Sequence, residues 1–185
     1  MKERNREKWL KNLIQSVMEA VEIEVEIRQE NNGVNMSYNF IRNVVGFDPR
    51  RVQKARKELQ IAISLELYIK IFTLHELGHA VDQKALLDSL PRTIEIFEMK
   101  RNYPLSELYN RIDLLAMLIE EHEMNIAFEE TAWTNAEKLN KQYNIVEWAR
   151  FEKVKAHSLA TYTSLYEEDL LLYNKLVAEH SEQIA

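Results

Sequence analysis

Phe72-Thr73-Leu74-His75-Glu76-Leu77-Gly78-His79-Ala80-Val81-Asp82 reads as one helix carrying the pattern His-Glu-x-x-His. Residues four apart on a helix sit one turn above each other on the same face. The imidazoles of His75 and His79 can therefore offer nitrogens to one metal ion, zinc by the usual use of this spacing. Glu76 lies beside them and can act on a water at that metal without being a ligand. Apolar residues lead into the motif at helical spacing through Ile61, Leu65, Tyr68 and Phe72, and His75, His79 and Asp82 continue that stripe. Two imidazoles on a buried stripe need partners, and a metal satisfies both. Gly78 costs a helix interior about 1 kcal/mol against Ala, so its presence predicts close approach of a neighbouring backbone.

Working outward, the chain before the motif changes period. Residues 4–19 carry Trp9, Leu10, Leu13, Ile14, Val17 and Met18 at helical spacing. Val21, Ile23, Val25 and Ile27 then alternate with Glu22, Glu24, Glu26 and Arg28, which predicts a half-buried strand over 21–28 with an acidic, solvated face. Asn31-Asn32-Gly33 signals a turn, 34–39 a second strand and 44–47 a third, together a small antiparallel sheet. The alternative is a first helix that runs on through residue 30. Asp48-Pro49 opens a helix with Asp as N-cap and Pro at its first position; it is expected to reach about residue 88, with a break near Gln60. Leu90-Pro91 should interrupt, with a short helix over 93–100. Long helices follow over about 105–142 and 146–179. The fold class is α+β, mostly helical. Residues 1–142 are expected to form one domain and 143–185 a helical extension packed on it.

Composition narrows the function classes. With 185 residues and 46% hydrophobic content, the chain can bury a sizeable core. A net charge of −6 argues against a nucleic-acid grip, and the short basic cluster Arg50, Arg51, Lys54, Arg56 and Lys57 reads as a solvated helix face. The absence of cysteine excludes disulfides and thiolate zinc sites. No run of 18 apolar residues occurs and the N-terminus has no apolar signal core, so no membrane span and a cytoplasmic location are expected.

A catalytic zinc takes three protein ligands and keeps one open position. Positions 80–90 contain no His-x-x-Gly-x-x-His form, so the third ligand is expected from another helix. On the helix after residue 105, Ile112, Leu115, Ile119, Ile126, Trp133 and Ala136 form an apolar stripe that also holds His122 and Glu129. A carboxylate there needs a partner, and zinc would neutralise it. Glu129 is therefore the expected ligand, with Glu123 and Glu130 on the flank as alternatives. His122 reads either as a support for a ligand or as an ordinary core histidine.

The helix with His75-Glu76-Leu77-Gly78-His79, followed by a helix with Glu129-Glu130-Thr131-Ala132-Trp133-Thr134-Asn135-Ala136, resembles the gluzincin metallopeptidases. More narrowly, it is similar to the ImmA/IrrE-like peptidases and minigluzincins, over roughly residues 5 to 140. The resemblance implies a zincin-like fold and a zinc endopeptidase, in some relatives aimed at a regulatory protein.

In that chemistry Glu76 takes the water's proton and passes it to the leaving nitrogen. His157, Tyr162 and Tyr166 on the last helix are oxyanion-donor candidates by residue type alone. The partner is then a protein or peptide substrate. The competing expectation is a regulatory or interaction module on the same scaffold. It draws on the apolar last helix, with Trp148, Phe151, Leu165 and Leu170 offering a surface to a partner, to a second copy or to the protein's own cleft. Hydrolysis of a non-peptide amide is a third.

Overall fold

The computed structural model describes residues 3–184, with side chains from 5 to 182. Helix α1 spans Glu3–Ala20. It buries Leu10, Ile14, Val17 and Met18 on one face and packs on the helix that carries the motif. It ends in paired C-terminal bonds: Ile23 N–H donates to the Met18 carbonyl and Glu22 N–H to that of Glu19, with Glu22 at φ 58°. That left-handed residue is what a Schellman ending requires. It also shortens the expected first strand, which begins at Glu26 and not at Val21.

Strands β1 (Glu26–Gln29), β2 (Met36–Asn39) and β3 (Val44–Phe47) form the sheet, so no helix runs through residue 30. The order is β1-β3-β2, with β1 parallel and β2 antiparallel to β3. The sheet is thus mixed, which corrects the antiparallel expectation. Every residue of Val44-Val45-Gly46-Phe47 is buried, and such a continuous apolar strand belongs in the middle. The mixed-polarity β1 and β2 take the edges. Gly33, at φ 78°, turns the loop that carries β2 to the far edge, and its N–H donates to Asp48.

Asp48 then caps α2 (Pro49–Glu58), accepting from the N–H groups of Arg50 and Arg51 at 2.9 and 3.1 Å. Burial pushes its carboxyl up, but the N–H donors Arg51, Arg50 and Gly33 together hold it below its ordinary value. The chain breaks at 59–64, and Ser64 caps α3 (Leu65–Val81), the motif helix. Helix α4 (Gln83–Asn102) continues through Pro91, where an interruption is expected from sequence. Pro91 is exposed, as is Leu87, whose carbonyl would have accepted from its N–H, so the helix tolerates the missing donor. A four-residue α5 (Leu105–Leu108) precedes α6 (Ile112–Tyr143), and α7 covers Trp148–Ile184. No helix among the described residues is long and apolar enough to cross a membrane.

The chain divides into two compact units. One holds residues 1–87 and 130–156, the other 88–129 and 157–185. The α6–α7 junction, where the sequence suggests a boundary, lies inside the first unit. There the buried Asn140 side chain donates to the Val146 carbonyl at 3.1 Å and accepts from its N–H at 2.9 Å. The second unit builds its own core from Ile96, Met99, Leu108, Leu115, Leu118 and Ile119, with Leu170, Tyr173 and Leu176 of α7 packed on it.

Candidate metal centre

Helix α3 is buried on almost all sides between Tyr68 and Gly78, so the motif sits inside the first unit and not on its surface. Tyr68 anchors the helix: its phenol accepts from Asn35 Nδ2 at 2.7 Å, and burial pushes its pKa up to about 12. One and two turns further on come Phe72 and the motif. His75 and Glu76 are each 5% exposed, and His79 is half-buried. The two imidazoles cross edge to face, ring centroids 4.8 Å apart.

Helix α6 lies unusually close to α3. A Cβ at Gly78 would stand 2.1 Å from the Ala132 carbonyl oxygen, well inside contact distance. Asn135 Nδ2 donates to the Gly78 carbonyl at 3.2 Å. The glycine thus permits the backbone approach its position in the sequence suggests. On the turn of α6 before Ala132, Glu129 joins the histidines: one ligand atom from each of His75, His79 and Glu129 lies within 4.8 Å of the other two. That group could hold a metal ion. Two imidazoles and one carboxylate are a donor set that catalytic zinc takes, and this supply from facing helices fits such an ion.

The alternatives to Glu129 lie elsewhere. Glu130 and Glu123 are exposed, and Glu123 accepts from the Tyr166 hydroxyl at 3.1 Å. Tyr166, one of the donor candidates, is thereby engaged in the second unit. His122 pairs with Asp169 at 2.9 Å. His157 is exposed and Tyr162 half-buried on α7.

Two neighbours escape the sequence reading. Trp133 stacks on His75 with centroids 4.4 Å apart and planes 25° from parallel, and Asn135 bonds to Gly78. For Trp133 the four-residue spacing from Glu129 along the same helix was the available signal; for Asn135 there was none.

No protein-family model matches the chain, and no curated protein or solved structure matches it.

Proposed function

We propose that the protein is a zinc-dependent metalloendopeptidase with a zincin-like fold. One observation carries the reading: His75, His79 and Glu129 gather ligand atoms within 4.8 Å from two helices, with the buried Glu76 next in sequence to His75. A site that served structure alone would need no carboxylate at position 76. Zinc, when bound, supplies Lewis acidity toward water and the scissile carbonyl. The chain's own residues supply the rest. Glu76 accepts a proton from the attacking water on its carboxylate and returns it to the leaving nitrogen. Burial of Glu76 sharpens that exchange by excluding bulk water from the carboxylate. β2, an edge strand packed against α3, supports a peptide substrate over a smaller amide, because an extended peptide can pair with a sheet edge.

The test uses metal analysis and hydrolysis of a peptide library. Wild type should hold one zinc per chain, and His75→Ala should lose it. Glu76→Gln should keep zinc and fold but cut about 10²–10⁴-fold more slowly, the usual contribution of a positioned base. Equal zinc in wild type and His75→Ala sinks the site. Equal cutting by Glu76→Gln sinks the assigned role. Zinc binding without hydrolysis of any peptide favours the interaction module, for which α7 offers the exposed Leu165 and Leu171.

A further inference from the structure

We propose that Trp133 is a positioning residue for His75, fixing the plane of its imidazole and so setting how tightly the site holds its metal. The proposal rests on the metal reading above. The indole lies over the His75 ring at 4.4 Å and 25°. It is itself clamped edge-on from two sides, by Phe72 of α3 at 6.0 Å and Phe151 of α7 at 5.7 Å. Trp133 and Phe151 are fully buried, so neither ring can turn without disturbing the core of the first unit. The column Phe151–Trp133–His75 therefore transmits the rigidity of three helices to one ligand.

The indole N–H points to the same conclusion. Trp133 Nε1 is buried with no hydrogen-bond partner among the described residues. A buried tryptophan normally places that donor on an acceptor. Here the flat face is the property in use, and a phenylalanine would keep it. An imidazole that gives a lone pair to a cation becomes electron-poor, and an aromatic face attracts it more strongly. The stack thus favours the metal-bound ring over the free one, apart from its effect on packing.

The probes are Zn2+ affinity by chelator competition, the visible bands of Co2+ placed at the site, and thermal unfolding of the metal-free protein. Trp133→Leu should lose about 10–100-fold in Zn2+ affinity, the range for groups that support ligands, and its Co2+ bands should shift. Trp133→Phe should stay within about threefold of wild type and keep the bands, a rescue that packing volume alone does not predict. Trp133→Leu with wild-type Zn2+ affinity overturns the proposal, and so does a lowered melting temperature with unmoved bands. If Trp133→Leu does not fold, Phe151→Leu decides. It should weaken Zn2+ binding several-fold by freeing one edge of the indole, and unchanged affinity overturns the proposal. Wild type that binds no metal fails in a different arm: it removes the metal reading, and this inference falls with it.

Discussion

Two stretches of α6 carry the same kinds of side chain and use them differently. Residues 120–123 are Glu, Glu, His, Glu, and each finds an ordinary partner in the second unit. Arg92 grips Glu120 with two nitrogens, Lys100 holds Glu121, Asp169 takes His122, and Tyr166 donates to Glu123. Six residues beyond Glu123, the half-buried Glu129 is gathered with two imidazoles instead. His122 and Glu129 share one helix stripe, and the same rule, that a polar group on an apolar face needs a partner, applies to both. The rule does not name the partner. A carboxylate becomes a metal-ligand candidate through what the fold brings against it, and burial alone does not distinguish the two cases.

Substitutions can break this contrast. The largest effect is expected at Glu129. Glu129→Ala should weaken zinc binding by more than the 10–100-fold that loss of a supporting group costs, while Glu130→Ala and Glu123→Ala should bind as wild type. Unaltered affinity in Glu129→Ala, measured by chelator competition, would erase the distinction.

The next effect separates metal from packing. Zinc at a thousand times its Kd should stabilise wild type by about 4 kcal/mol, and a chelator should remove that gain. His122→Ala should cost about 1–3 kcal/mol through the lost Asp169 bond, equally with and without zinc. Thermal unfolding in the two conditions checks this, and a zinc-dependent loss at His122 would join the two stretches into one site.

The smallest effect belongs to Arg92. The hydrogen bonds from Arg92 are the chief reason the Glu120 carboxyl sits below its ordinary value. A lowered carboxyl pKa stabilises the fold above the unfolded value, about 4.3, and the contribution is lost as pH falls through the folded value. Wild type and Arg92→Ala should therefore differ slightly in melting temperature at neutral pH and converge on acidification, with zinc binding untouched. A gap that widens in acid would reverse the sign of the argument.

The parts of this molecule that are legible in sequence are the local ones. The i, i+4 spacing puts His75 and His79 on one helix face, and a step of about 100° per residue separates Glu129 from Glu130. Gly78 announces its close neighbour because a helix interior has no other use for it. Asp48-Pro49 is written in capping chemistry, whereas the break expected near Gln60 proves to be a full gap over 59–64 that ends at the Ser64 cap. What stays hidden depends on partners distant in the chain. Alternation at 21–27 says strand, but Glu22 and Ile23 are drawn into the ending of α1 by bonds to the carbonyls of Glu19 and Met18. The buried run at 44–47 takes the central place only because two more polar strands compete for it. Pro91 reads as a break until its solvent exposure is known. The Trp133–His75 stack needs the register of α6 against α3, which no periodicity in either helix contains.

The sheet order also carries a sequence of events. β3 comes last in the chain yet lies between the other two strands. β2 and β3 are joined by the short turn at 40–43 and can zip together early, since short loops close with little entropic loss. β1 has no paired partner until that hairpin exists, so it should dock late and bring α1, which packs on the motif helix, with it. Perturbing the buried Ile27 should then hasten unfolding more than it delays folding, while Val45 belongs to the early step. On that order the helix with the two histidines should receive its α1 cover late in folding and lose it early in unfolding.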